Sequence, residues 1–331
     1  MAWNETLLFY KESPYQRIAF FTEADGSFSL TLDDYWQFNS NVEHIYHECL
    51  FTLPALLPKT LENVLVLGGG DGLGARELLK FKSVQSIDLV DLDPEIIKFA
   101  KTNVFMKNLN KDSFNDPKVN ITVTDAKKWL EAPVTKKYDL IIVDFPDPTT
   151  DLLWDLYTVK LYKQMASRLT KNGVIAIQSS TYNTKTFELI YEKLDKVFPF
   201  LLGYHTGASR VFCGFFLASF RPIKLSRNIP KSCRWINPEI INQILALPIM
   251  QEDTKSTSRL RQNSKLTNPM QVAISNVAVK NRKPEELGSF FQGGLSETTE
   301  PTPNNASNMT KPAILAGIAL LIAAPIILKY I

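Results

Sequence analysis

The sequence predicts an α/β fold with a doubly wound parallel sheet, and three observations predict it. The apolar run Val64-Leu65-Val66-Leu67 meets the turn Gly68-Gly69-Gly70-Asp71-Gly72 and then a helical pattern from Ala75 to Lys80. Short apolar runs alternate with helical spacing from Asn63 to Gln178. Acidic residues stand at the ends of four successive runs, the edge where ligands sit in open α/β sheets.

Residues 1–60 read as a small antiparallel β unit followed by a covering helix. Strand-like runs Ile18–Phe21 and Phe28–Leu32 flank a turn at Asp25-Gly26. Helical spacing follows through Val42, Tyr46, Leu50, Leu53 and Leu57, and stops at Pro58. The catalytic domain is placed at 61–220. Within it, after the first strand, come strands at Ser86–Val90, Asn120–Val123, Leu140–Val143 and Val174–Gln178, with a helix over Glu95–Lys101.

Gly68, Gly70 and Gly72 form a nucleoside cradle, and Asp71 within it selects the ligand. Gly70-x-Gly72-x-x-Ala75 fits a relaxed dinucleotide fingerprint, but a pyrophosphate at a helix N-terminus wants bare amides. A carboxylate there repels it and attracts an amine or sulfonium. The cradle therefore suits a cationic adenosyl compound of the S-adenosylmethionine type, on a Rossmann-like, methyltransferase-type sheet. Asp71, Asp91 with Asp93, Asp125, and Asp144 with Asp147 follow the first four strands. Each alone is ordinary turn or cap chemistry; as a series they converge on one crevice whose repulsion a cationic ligand offsets. Asp91 lies 21 positions after Gly70, the reach of a ribose-binding acid.

Composition excludes several classes. The three cysteines and three histidines show neither CxxC nor HExxH spacing, so no metal is assigned. Beyond Phe220 there are 14 Lys and Arg against 7 Asp and Glu, whereas the front of the chain is mildly acidic. The segment 221–311 reads as a basic, largely flexible extension, and its scarcity of aromatics argues against nucleic acid. Pro312–Leu328 is uncharged and apolar, about 26 Å long as a helix, and follows a Pro/Asn/Thr-rich stretch. A transmembrane anchor is expected at 312–330, a single pass with the catalytic body in the cytosol, since residues 1–10 do not read as a signal peptide.

The joint pattern resembles the spermidine and spermine synthases, the polyamine aminopropyltransferase family. It comprises Tyr15-Gln16, Gln37 to Glu48 ending in Tyr46-His47-Glu48, the glycine turn, Val90-Asp91-Leu92-Asp93, Asp125, and Val143-Asp144-Phe145-Pro146-Asp147-Pro148. Leu156-Tyr157-Thr158, Gly173 and Gln178 complete it. The Asp-Phe-Pro-Asp-Pro form is similar to the membrane-associated bacterial branch. The resemblance implies that decarboxylated S-adenosylmethionine serves as co-substrate, with no other cofactor, and that a polyamine, putrescine foremost, is the acceptor. It further implies that Gln16 holds the nucleoside side, Asp91 the ribose, Asp125 the adenine amino group and Asp71 the donor's amine. Tyr46 and Asp147 would position the acceptor, with His47 and Gln178 also binding substrate, and Asp144 would take its proton; a homodimer is implied as well.

Two departures bear on the acceptor. Val42-Glu43 stands where the family has Asp-Glu, and Tyr204 to Phe215 lacks the family's tyrosine and proline while bringing in Arg210. The residues leave open a methyltransferase using the intact donor, and a non-catalytic, membrane-tethered nucleoside- or polyamine-binding protein.

Overall fold

The computed structural model describes residues 5–133, 135–182, 184–208, 211 and 213–246. The proposed anchor at 312–330, most of the basic extension and Arg210 lie outside them. Among the described residues no helix is long and apolar enough to cross a membrane.

The N-terminal unit is a four-stranded antiparallel sheet in the order β1 (Thr6–Glu12), β2 (Arg17–Thr22), β3 (Phe28–Leu32), β4 (Tyr35–Asn39). Alternation along β2 and β3 buries Ile18, Phe20 and Leu30. Phe9 stacks on Phe99 at 4.4 Å and Phe20 meets the same ring edge-on at 5.3 Å, which fastens this sheet to the larger domain. The covering helix is not uniform: α1 (Glu43–His47) and α2 (Leu53–Ala55) are separated by a π turn over Glu48–Thr52. The widened turn coincides with two fully buried polar side chains, Glu48 and Thr52, both of which find partners.

The main sheet has seven strands: β5 (Asn63–Gly68), β6 (Ser86–Asp91), β7 (Val119–Val123), β8 (Tyr138–Asp144), β9 (Leu169–Thr181), β10 (Phe200–His205) and β11 (Cys213–Ser219). Their order is β10-β11-β9-β8-β5-β6-β7. Helices α3 (Leu73–Leu79), α4 (Pro94–Thr102), α5 (Val104–Asn110), α6 (Ala126–Glu131), α7 (Asp151–Trp154), α8 (Val159–Ala166), α9 (Lys185–Asp195) and α10 (Pro238–Ala246), with a 3-10 turn at Ser113–Asn115, complete the regular structure among the described residues. Two hydrophobic clusters flank the sheet, one built with the N-terminal unit and α3–α4, the other with α8 and α9.

The sheet is mixed, which corrects the all-parallel expectation. Five strands are parallel, but β11 runs antiparallel to both β9 and β10. The connection from β10 to β11 is too short for a parallel crossover, which needs a dozen or more residues. The chain therefore turns straight back, and the apolar run Phe215-Phe216-Leu217-Ala218, wholly buried, fills the space beside β9. A second difference concerns the start of the extension. Ile223, Ile236, Ile241 and Ile244 enter the first core cluster, so residues up to α10 pack onto the body; the extension as a whole reads as largely flexible, but its stretch 229–250 also reads as two short helices with Pro238 at the start of one, where α10 begins. The partners that bury these isoleucines are distant in sequence.

Candidate active site

The site lies at the carboxyl ends of β5, β6 and β8. Gly68 pairs with Asp144 across β5 and β8 and holds φ +89°, and a methyl group there would collide with the Asp144 carbonyl oxygen. The glycine lets the two strand ends meet. A methyl group on Gly70 would lie 2.7 Å from Oδ2 of Asp91, whose carboxylate accepts the Gly70 amide. Gly72 caps α3, and its carbonyl accepts from Ser113 Oγ at 2.7 Å. Asp71 folds back inside the turn, with Oδ1 accepting the Leu73 amide at 2.8 Å.

Across this turn, the Tyr46 hydroxyl donates to Asp144 Oδ1 at 2.5 Å. Burial pushes Asp144 up to about 6, and the charges of Asp71 and Asp91 add to this against the Tyr46 bond and His47. Burial likewise raises Asp91 to about 6, partly offset by the Asp93 and Gly70 amides. A carboxylate near 6 is both ionised and basic enough at neutral pH to accept a proton. Tyr46 itself stays protonated, raised by burial and then by Asp144.

Asp147 forms a second acidic position with both oxygens engaged. Gln178 Nε2 donates to Oδ1 at 2.6 Å, and Ser180 Oγ, on a backbone with φ +64°, donates to Oδ2 at 2.9 Å. The Tyr157 hydroxyl has its one proton shared between Gln178 Oε1 at 3.2 Å and the Pro146 carbonyl at 3.0 Å, so the Gln178 oxygen faces Tyr157 and its amide nitrogen faces Asp147. Burial, then Asp147 and Asp144, push the Cys213 thiol up to about 12. Cys213 thus belongs to the same wall.

His47 sits behind Asp71 as a charged bridge. Its Nδ1 is 2.9 Å from Glu43 Oε2 and its Nε2 is 3.8 Å from Asp71 Oδ2. Burial opposes the imidazolium, but the two carboxylates outweigh it and raise the pKa to about 10. Arg76 grips both Glu43 oxygens at 2.9 and 2.8 Å, and burial of Glu43 is overcome by His47 and Arg76, which hold it at about 2. The chain of charge continues from Arg76 to Glu77 at 3.0 Å, to Lys80 at 2.6 Å and on to Glu48 at 3.4 Å.

The far side of the crevice is organised by β6. Asp93 caps α4 through the Glu95 amide at 2.9 Å, and its other oxygen accepts from Gln16 Nε2 and Ser13 Oγ, both at 2.8 Å. Gln16 is therefore tied to the loop bearing Asp91. Asp125 caps α6 by accepting the Lys127 amide at 2.7 Å, and the Thr124 amide donates to the Asp91 carbonyl at 2.9 Å, placing the two loops side by side. The structure thus gathers Tyr46, His47, Asp71, Asp91 and Asp144 around the turn, with Asp147 and Gln178 on the neighbouring wall. Glu43, Arg76, Tyr157, Ser180 and Cys213 were not among the site residues expected from sequence; Glu43, Tyr157 and Cys213 lie within family-like stretches, whereas Arg76 and Ser180 meet partners far away in sequence. Among the described residues no His, Cys, Asp and Glu cluster is arranged to hold a metal.

The seven-stranded sheet with an acidic crevice around a glycine turn defines an α/β domain of Rossmann-like type. The sequence model of the spermine/spermidine synthase domain matches residues 43–213, and the chain belongs to that family. It is 34% identical over 254 residues to a polyamine aminopropyltransferase of Leptospira interrogans, covering 74% of this chain and 50% of that one. It is 43% identical over 182 residues to polyamine aminopropyltransferase 2 of Bacillus anthracis, covering 54% and 49%. The chain thus spans about half the length of these curated relatives. A spermidine synthase solved in complex with the transition state analogue AdoDATO superposes with a TM-score of 0.68 at 26% identity, covering 80% of this chain and 90% of that one. The spermidine synthase of Thermotoga maritima gives a TM-score of 0.64 at 25% identity, covering 78% and 87%.

Proposed function

We propose that the protein is an aminopropyltransferase that moves the aminopropyl group of decarboxylated S-adenosylmethionine to a polyamine, putrescine foremost, and releases methylthioadenosine. The observation that carries this reading is the Tyr46–Asp144 pair set between Asp71 and Asp147. An alkyl ammonium of ordinary pKa, about 10.4, has to lose a proton before it can attack. Asp144 takes that proton, with Tyr46 holding its carboxylate. The amine lone pair forms the new N–C bond to the methylene beside the sulfonium, and the C–S electron pair leaves to sulfur. The leaving thioether is neutral and needs no acid. Asp71 holds the donor's amine, Asp91 and Asp125 the nucleoside, and Asp147, fixed by Gln178 and Ser180, the acceptor's cationic end.

The choice between this and methyl transfer turns on the donor's carboxylate. On this reading Asp71 faces the donor's amino end and would repel the carboxylate that the intact donor carries there, so the decarboxylated donor is expected to bind at least tenfold more tightly than the intact one, about 1.4 kcal/mol. Calorimetric titration with the two donors tests this, and a preference for intact S-adenosylmethionine would favour the methyltransferase. For 312–330 we retain the single-pass anchor as a proposal; retention of the chain in the membrane fraction after deletion of those residues would oppose it.

A further inference from the structure

The backbone of the segment just before α10 is gripped by one side chain of the body. Glu48, fully buried in the π turn, accepts three successive backbone amides: Arg234 at 2.7 Å, Trp235 at 2.8 Å and Ile236 at 2.8 Å. Three converging N–H groups form an anion nest, and Lys80 at 3.4 Å neutralises the buried carboxylate from the other side. The nest holds Trp235 in one place. Its indole Nε1 then donates to the Thr206 carbonyl at 2.8 Å.

Thr206, fully buried, opens the bend between β10 and β11. Its hydroxyl accepts the Ala208 amide at 3.2 Å and donates to the Val211 carbonyl, so it ties the two sides of the bend together. Gly207 packs against Ile244 of α10 closely enough that an added methyl would lie 3.3 Å from it. Immediately before the bend, Tyr204 donates its hydroxyl to the Cys49 carbonyl at 2.9 Å and packs on Phe215 at 5.2 Å. Phe215 packs on Tyr46 at 5.5 Å, and Tyr46 holds Asp144. Cys213 follows, buried and close enough to Asp147 and Asp144 for their charges to raise its thiol. The bend that Trp235 holds is therefore the back of the wall formed by Tyr46, Phe215 and Cys213.

We propose that Trp235, outside the family-matched residues, is a positioning residue for the amine acceptor, acting through Thr206 to set Thr206–Ala208 and Val211 behind Tyr46 and Cys213. The proposal rests on the aminopropyl-transfer reading for the identity of the ligand, and on the hydrogen bonds alone for the geometry. Trp235 touches no reacting atom. It sets where the wall stands, and hence which amine fits.

Trp235→Phe in the full chain keeps the ring and removes the indole donor. The expected result is a rise in the acceptor's KM of about fivefold, the scale of one neutral hydrogen bond, with a changed ranking across a panel of diamines and triamines. The donor's KM is expected to stay at the wild-type value. A merely structural role would instead lower the melting temperature and the active fraction, leaving acceptor KM and ranking as they were, and that outcome overturns the proposal. Hydrogen exchange at the Gly207 and Ala208 amides supplies a readout independent of turnover, and faster exchange is expected in the variant. Unchanged exchange overturns the strut even if the wild-type protein transfers no aminopropyl group. Faster exchange with an inactive wild type keeps the strut and overturns its acceptor role together with the transfer reading.

Discussion

Replacing Asp144 with Asn is expected to lower kcat by about 10²–10⁴-fold, the usual contribution of a positioned general base, with donor affinity near the wild-type value. The amide still accepts from Tyr46 but cannot take a proton. The same variant is expected to be more stable than the wild type. Asp144 is raised from 3.8 to about 6 in the folded protein, so its charge costs the empty site up to about 3 kcal/mol above that pH. The sign is opposite to that of a salt-bridged carboxylate: stability rises as pH falls through about 6 and levels off below the ordinary value. Thermal melts at pH 7 and single-turnover kinetics check both halves. In the wild type, kcat/KM is expected to fall on the acid side of about pH 6, where Asp144 becomes protonated. A fully active Asp144→Asn protein would remove the base from the mechanism.

The second large effect is expected at Arg76, which meets Glu43 and Glu77, both essentially unexposed. Arg76→Met leaves these carboxylates short of their main counter-charge and is expected to cost about 3–5 kcal/mol, the usual penalty for breaking a buried pair from one side. In a domain of this size that lowers Tm by about 10 °C. Adding Glu43→Gln is expected to recover part of the loss, giving a coupling energy in a double-mutant cycle. The network also sets a pH window. The Glu43 contribution is complete above its ordinary 4.5 and is lost as pH falls through about 2. The His47 contribution is complete below its ordinary 6.5 and is lost as pH rises through about 10. A loss below about 1 kcal/mol in Arg76→Met, the size of an exposed pair, would mean that the charges are solvated rather than buried.

How much of this the sequence discloses depends on how local each determinant is. The glycine turn, the acids at the strand ends and Tyr46-His47-Glu48 are legible because strand, turn and side chain fall within a few residues. The ordinary cap role of an Asp at a strand end does not exclude a place beside the crevice. Asp93 and Asp125 do cap α4 and α6, and the same geometry places them along the crevice edge. The antiparallel β10–β11 return was not legible, because its two runs carry no turn dipeptide and the strand beside which β11 lies is β9, across an intervening helix. The π turn leaves no mark in the hydrophobic period. Arg76 with Glu43, and Glu48 with Trp235, join residues 33 and 187 positions apart, and buried polar pairs at such separations have no periodic signature. His47 illustrates the difference in kind: its motif marks it as a site residue, but its role as a charged bridge between Glu43 and Asp71 comes from the packing.

The most direct test of the account is a mass-spectrometric transfer assay on the full chain, with decarboxylated S-adenosylmethionine and a panel of amines from putrescine upward. The account predicts methylthioadenosine and an aminopropylated amine in equal amounts, abolished in Asp144→Asn. Donor binding without either product at every amine tested, or a methylated amine formed from intact S-adenosylmethionine, would contradict it.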